Sequence, residues 1–287
     1  MAVTRSILVL GAGGALGRSL LQVADTHPDL RCVGASRAEA DVTNRNAVDN
    51  AIRKYSAQIV INCAAMTDVD GCERDPMLAS AVNAEGARTV AEACAHANVL
   101  LVHASTDFVF DGNTDRPYRE GDAPHPLGVY GATKLEGEHA IERVRGKSLI
   151  VRTAWTFGPG RANFVTKVLD RARAEGKLDM IRTQTGSPTW TNDLAVGILA
   201  LIFSGAHGLY HVVNSGTATR VELAEAVLEL SGLTGVTVNP VDGAPSAWIA
   251  KRPSWSVLDA SQFTAKTGLT LVPWREALAA YLKGLPA

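Results

Sequence analysis

The chain has 287 residues, 46% of them hydrophobic and 20% charged, which is room for one large or two modest globular domains. A net charge of −1 with no basic run argues against nucleic acid as a partner, and no apolar run reaches the roughly 18 residues of a membrane span. Four cysteines without a CxxC pair fit a reduced, cytoplasmic setting and exclude a structural zinc site; Cys32, Cys63 and Cys94 read as small core residues, while Cys72 lies on a polar stretch.

The opening MAVTRSILVLGAGG runs straight into a strand and a glycine turn, so no signal segment with a cleavage site is expected. SILVLG (6–11) reads as a buried strand and ALGRSLLQVAD as the helix after it. RCVGAS, AQIVINCAA (57–65), NVLLVHAST (98–106) and SLIVRTAW (148–155) are further strands. RNAVDNAIRKY, PMLASAVNAEGARTVAEACAHA and YGATKLEGEHAIERV have helical spacing between them. This alternation predicts an α/β fold: a Rossmann-like, doubly wound parallel sheet with helices on both faces. After about residue 156 the pattern loosens. Helices are expected in RANFVTKVLDRARAEG, NDLAVGILALIFSG, TRVELAEAVLELSG (with a Thr cap) and PWREALAAYLKGL (with Pro in its first turn). VTVNPVD is a short strand and SAWIAKRPSWSVLD a loop. The expected organisation is a cofactor domain over 1–155, drawing also on segments near 185–215, and a smaller α/β substrate-binding domain over 156–287.

Ligands in such sheets bind at the carboxyl ends of the strands, and the suggestive residues fall there. Gly11, Gly14 and Gly17, with the extra Gly13, suit a tight turn that lets a pyrophosphate approach the backbone and the start of a helix. The second strand ends at Ser36–Arg37; a cation there suits the 2′-phosphate of NADPH, where an acid would suit NADH. Asp41–Val42–Thr43 either caps the following helix or meets the adenine ring. Asn62–Cys63–Ala64–Ala65 ends a strand with residues small enough for a ribose or nicotinamide to lie on the backbone. Asn83, a mediocre helix former, is either a surface amide or a buried prop for the site. Ser105, Thr106 and Asp107 end another strand, where a hydroxyl could bond a substrate carbonyl. Tyr130 and Lys134 stand four residues apart, one helical turn, so that the ammonium is expected to lower the phenol's pKa and ready it to give up a proton. None of the seven histidines pairs at metal-ligand spacing, so no metal is expected, and His103 and His211 read as satisfied core residues. Trp155 ends its strand and could line a pocket.

GAGGALG, NCAA, STDFVFDG and YGATK, in that order, resemble the extended short-chain dehydrogenase/reductase family. MTDVDGCE, VNAEGA, RTAWTFGPGRANFV, QTGSPTWTNDLA, KRPSWSVLD and PWREAL extend the likeness over nearly the whole chain, and RANFV, GSPT and RPSWSVLD point to its ketone reductases rather than its sugar epimerases. The resemblance implies NADPH as cofactor, with NADH as the second option, and a small-molecule nucleotide sugar, a dTDP-linked 4-keto-deoxysugar, as substrate. It implies Thr106, Tyr130 and Lys134 as the catalytic trio. Gly11, Gly13, Gly14, Ala15, Leu16, Gly17, Ser36, Arg37, Asp41, Val42, Ala64, Ala65 and Thr67 would hold the cofactor together with Tyr130 and Lys134. Thr67, Val69, Thr106, Asp107, Phe108, Trp155, Asn163 and Arg252 would meet the substrate, Arg252 at its diphosphate. Three positions depart from the family pattern. Phe108 replaces a Tyr, Thr183 replaces an Asp before Gln184, and Ser19 replaces a Glu that some members tie to a magnesium-bridged dimer. A monomer or homodimer is expected. Competing readings are an epimerase or dehydratase, and a cofactor-binding regulatory subunit; the Asp107–Phe108 pair disfavours dehydration, and the intact trio favours catalysis.

Overall fold

The computed structural model describes residues 5–243 and 248–285. Six parallel strands, β1 (Arg5–Leu10), β2 (Leu30–Ala35), β3 (Ile59–Asn62), β4 (Leu100–Thr106), β5 (Ser148–Thr153) and β6 (Gly208–His211), form one sheet in the order β6-β5-β4-β3-β1-β2. The five N-terminal strands coincide with the apolar runs of the sequence. β1 is buried on both faces from Ile7 to Leu10, as a parallel sheet covered by helices requires. The longer helices are α1 (Ala15–Ala24), α2 (Arg45–Lys54), α3 (Gly86–Ala97), α4 (Val129–Val144), α5 (Phe164–Glu175), α6 (Thr191–Phe203), α7 (Arg220–Leu230), α8 (Ser261–Thr267) and α9 (Trp274–Lys283). One face of the sheet packs Ile7, Val9, Ile61 and Val151 against α1 and α6; the other packs Leu8, Leu10 and Val60 against α2, α3 and α4. The order reverses between β1 and β3, and the crevice at that reversal is where doubly wound sheets take their ligands.

The C-terminal part has its own apolar core, built from Phe157, Val168, Leu178, Ala224, Trp274 and Leu278. Around it stand α5, α7, α9 and a parallel strand pair, Lys177–Ile181 with Thr237–Val241. The expected Thr cap is present as a reciprocal box: Thr219 Oγ1 accepts from Glu222 N at 3.1 Å, and the Glu222 carboxylate accepts from Thr219 N at 2.7 Å. Pro273 stands just before α9, as its cap. The chain crosses back from this part to the sheet, because β6 pairs with β5 and α6 covers the β1 face.

Several local expectations change. α8 is a helix of seven residues, too short to show a helical period in the sequence, and its Phe263 packs into the core beneath α6. The 248–260 segment is loop, as expected, while residues 246–247 of that stretch lie outside the described residues. The long helix expected over 76–97 is broken by a π-helical turn, Ala81–Glu85, between Pro76–Ser80 and α3. Cys72, despite its polar neighbours, is buried with its thiol facing the Met66 carbonyl, whereas Cys32 and Cys63 are only half-buried. His103 has partners on both ring nitrogens, but His211 is only half satisfied: its Nδ1 donates to the Tyr118 carbonyl and its buried Nε2 has no partner. Ser19 is buried and shares a 2.7 Å hydrogen bond with Thr191 Oγ1, so it faces α6 and not the molecular surface.

Candidate active site

The glycine turn joins β1 to α1. Gly11 has φ +73°, and a Cβ there would stand 2.7 Å from the Ala64 nitrogen; a Cβ on Gly17 would stand 2.7 Å from the Gly11 carbonyl oxygen. Neither position has room for a side chain, which is the signature of a backbone cradle closed against its own helix. Gly14 begins α1 without a side-chain cap, so the N–H groups of the first turn remain open to an anion. Asn62 braces the facing strand end, its Oδ1 accepting from Ala64 N at 3.1 Å.

At the end of β2, Ser36 donates through N and Oγ to the Glu39 carboxylate, both at 2.9 Å. The exposed Arg37 reaches Asp41 at 3.2 Å. Asp41 does not cap α2: Asn44 does, while Asp41 accepts from the backbone N–H and hydroxyl of Thr43 and ties its own turn. Val42 is buried against Gly86 of α3. Gly11, Gly13, Ser36, Arg37, Asp41 and Val42 thus stand along the β1–β2 side and Ala64 just past β3, and none of them lines the central cavity.

That cavity, about 460 Å³, lies over the ends of β3, β4 and β5. Gly14, Ala15, Leu16, Gly17, Ala65, Thr67, Val69, Thr106, Asp107, Phe108, Tyr130, Lys134, Trp155, Asn163 and Arg252 all line it, so residues read separately from the sequence meet in one place. Thr106, at the end of β4, donates to Asp107 Oδ1 at 3.0 Å and accepts from Phe108 N at 3.2 Å. The Phe108 ring meets Tyr130 edge-on, with centroids 5.5 Å apart. Burial raises the Tyr130 phenol above its ordinary pKa, with the neighbouring Thr106 hydroxyl working the other way. The expected lowering by Lys134 is therefore not found. The lysine turns instead toward β4, with Nζ 3.1 Å from His103 Nε2 and 2.6 Å from the Ala104 carbonyl oxygen. One turn on, buried Glu138 accepts from Arg152 (Nη2 at 2.6 Å) and from Ser105. Asn83 is a buried prop: its Oδ1 accepts from Met66 N at 2.9 Å, and its Nδ2 donates to the Met66 carbonyl and to Thr133 Oγ1.

Trp155 adopts φ +43°, a strained conformation for a bulky residue, and its indole seats on Gly186, where a Cβ would come within 2.5 Å of Nε1. Asn163 is a capping residue as well as a lining one: it accepts from Val165 N and Thr166 N, and donates to Gly158 O and to the Tyr281 hydroxyl. Thr185, just before GSPT, joins that segment to RPSWS by backbone bonds, Thr185 N to Ser254 O at 2.8 Å and Ser256 N to Thr185 O at 2.9 Å. Arg252 stacks on Trp248 and pairs with Asp70 at 2.6 Å. Burial works to raise the Asp70 carboxyl, but Arg252 and the N–H groups of Ala250 and Ile249 outweigh it and hold its pKa at about 2.

Arg220 was not singled out from the sequence. It opens α7, lines the cavity, and lays its guanidinium over Trp155, 3.4 Å from the ring centroid, and toward Phe164. Burial lowers its pKa to about 10, against the attraction of Asp107. Asp107 is itself pushed up to about 6 by burial, and its Oδ2 has no partner. The sequence did carry a signal: an arginine at the first position of a helix opposes the helix dipole, so something other than helix stability keeps it there.

The family model described as RmlD substrate binding domain matches residues 5–286. A dTDP-4-dehydrorhamnose reductase of Streptomyces griseus is 40% identical over 277 residues, covering 94% of this chain and 91% of that one. A probable dTDP-4,6-dihydroxy-2-methyloxan-3-one 4-ketoreductase of Streptomyces antibioticus is 39% identical over 275 residues, covering 94% of this chain and 92% of that one. Among solved structures, dTDP-4-dehydrorhamnose reductase from Bacillus anthracis in complex with NADP superposes with a TM-score of 0.94 at 31% identity, covering 98% of this chain and 100% of that one.

Proposed function

The chain belongs to the RmlD substrate binding domain family, and from that premise we propose that it reduces the C4 ketone of dTDP-4-dehydro-L-rhamnose to dTDP-L-rhamnose with NADPH, NADH serving as the second cofactor. The observation that carries this reading is the meeting of Thr106, Tyr130 and Lys134 with the glycine turn in one cavity. The cofactor fits the residues present, because the backbone cradle at Gly11 and Gly17 leaves no room for a Cβ. Gly14 to Gly17 and the first turn of α1 would hold the pyrophosphate, Ala64 and Ala65 would flank the nicotinamide half, and Ser36 and Arg37 would meet the 2′-phosphate. When bound, NADPH supplies the hydride.

The remaining chemistry belongs to the chain. Tyr130 gives its phenolic proton to the oxygen at C4 as general acid. The Thr106 hydroxyl turns from Asp107 to that oxygen and stabilises the charge developing on it. Lys134, in its cationic form, stabilises the phenolate left behind. Trp155, pinned by Arg220, walls the deoxysugar with Val69 and Phe108, and Arg220 and Arg252 face the diphosphate. Lys134 is buried, while Tyr130 is half-buried in the cavity wall, where the incoming ketone can reach it.

The test supplies NADPH and dTDP-4-dehydro-6-deoxyglucose together with a 3,5-epimerase, and identifies the product by NMR. dTDP-L-rhamnose is the expected product, and no turnover would overturn the reading. A second reading, reduction of another dTDP-4-keto-deoxysugar, is favoured by Phe108, which presents a ring edge where a hydroxyl would otherwise reach the sugar. Equal turnover with the epimerase left out would select it.

A further inference from the structure

α4 carries Tyr130 in its first turn and Lys134 in its second, and the two turns are anchored differently. Lys134 is tied to β4, its Nζ donating to the Ala104 carbonyl oxygen at 2.6 Å. The first turn begins at Gly128, which has no side chain to cap it, and its intrahelical bond runs from Ala132 N to Gly128 O at 3.0 Å. The N–H groups of Val129, Tyr130 and Gly131 therefore find no partner within the helix. That of Val129 donates to Glu73 Oε1 at 2.8 Å. Gly128 has φ −150° and ψ 174°, extended values open to any residue, so the backbone does not require glycine. Space does: a Cβ there would stand 2.6 Å from Glu73 Oε1. The carboxylate occupies the place that an N-cap side chain would fill, and it meets the positive end of the α4 dipole.

We propose that Glu73 is a positioning residue for the proton donor: its carboxylate, standing in for the missing N-cap side chain, fixes the first turn of α4 and with it the Tyr130 phenol. Glu73 is delivered to that point by the short helix Val69–Arg74, which is itself held at several places. Asp70, one turn earlier, accepts from Ile249 N and Ala250 N, both at 2.9 Å, and from Arg252 Nη2 at 2.6 Å. Cys72 is buried with its thiol on the Met66 carbonyl, and Val69 lines the cavity. One small helix thus supports Arg252 on one side of the cavity and the start of the Tyr130 helix on another.

The consequence for turnover rests on the ketone-reduction reading. Without the cap the first turn frays, and Tyr130 loses its fixed distance to the oxygen at C4, while Lys134 stays where β4 holds it. The chemical step suffers, and binding of NADPH and of the nucleotide sugar, made largely by other residues, is kept.

Three variants test the inference. Glu73→Ala removes the carboxylate. Glu73→Gln keeps a side-chain oxygen that accepts from Val129 N. Glu73→Ala combined with Gly128→Ser puts a hydroxyl into the vacated space, as a cap of the ordinary kind. Glu73→Ala is expected to lower kcat about ten- to a hundredfold, the order that a misplacement of about 1 Å costs, with KM and NADPH affinity near their original values. Glu73→Gln and the double variant are expected to recover most of that loss. A second measurement needs no substrate: ¹⁹F NMR of the fluorotyrosine-labelled protein, with Tyr130 assigned among the five tyrosines from the spectrum of Tyr130→Phe. In Glu73→Ala the Tyr130 signal is expected to shift or broaden while the others hold, and in the double variant it should return. A Tyr130 signal unmoved in Glu73→Ala, or a kcat that Gly128→Ser does not restore, assigns Glu73 to fold stability alone and overturns the proposal. Absence of turnover in the unmodified protein strikes at the ketone-reduction reading alone, since the fluorine spectrum still decides the role of the cap.

Discussion

Tyr130 and Arg37 carry the two most direct consequences for single side chains. With general acid catalysis worth about 10²- to 10⁴-fold, Tyr130→Phe should lower kcat by that order while leaving NADPH affinity, followed by nucleotide fluorescence, near its original value; unchanged turnover would remove Tyr130 from the chemistry. Arg37 is exposed, and its pair with Asp41 is of the surface kind that contributes little, so the side chain is free to turn to a phosphate. Loss of a charge-assisted bond costs about tenfold or more in affinity. Arg37→Asp should raise the KM for NADPH by that factor and leave the KM for NADH almost alone, and equal effects on both would assign Arg37 to solvent. The places of these residues in the fold were legible because the signals are local: a glycine turn after a strand, a cation at the next strand's end, a phenol one helical turn from an amine. The direction of Lys134 was not legible. Four-residue spacing places two side chains on one helix face, but a lysine stem reaches many acceptors, and which one wins depends on β4. Arg220 escaped for the same reason, since its partner Trp155 lies on a segment far away in the chain.

Among the elements, the π-helical turn at Ala81–Glu85 has the clearest role. One extra residue in the turn swings Asn83 inward, where it takes both the N–H and the carbonyl of Met66 and reaches Thr133 on α4. It thus ties the loop after β3 to the helix carrying Tyr130 and Lys134. α4 accommodates the bulge with Gly137, where a Cβ would sit 2.4 Å from the Asn83 carbonyl oxygen. Gly137→Ala should destabilise the protein by about 1–3 kcal/mol, read as a fall in Tm, and should lower kcat as well because the brace moves with the turn. A variant with unaltered Tm would show that the two helices separate freely. The helical period of 76–97 predicted the helix and could not predict the bulge, because an extra residue per turn leaves composition unchanged; the odd choice of Asn at a buried position was the one trace of it.

For the whole molecule, the long-range ties decide behaviour. Asp70, in the first turn of the short helix Val69–Arg74 that follows β3, grips Ile249 N, Ala250 N and Arg252 from the C-terminal part. Its folded pKa of about 2 lies below the roughly 3.9 of an ordinary aspartate, so the stability it contributes is fully present above that ordinary value and is lost as pH falls toward about 2. The Tm gap between the unmodified protein and Asp70→Asn should therefore be widest at pH 5 and should close by pH 2; a gap that stays constant would mean the clip does not depend on the charge of Asp70. The return of the chain to the sheet has a different outcome. β6 seals β5, and α6 roofs the β1 face, yet both are encoded after the first elements of the C-terminal part. A gene cut near residue 155 would leave β5 as a bare hydrogen-bonding edge beside an uncovered apolar face, the combination that recruits other chains into aggregates. The two halves of this sequence are consequently poor candidates for independent expression or for shuffling between relatives, and a ribosome must release both before either has its finished surface.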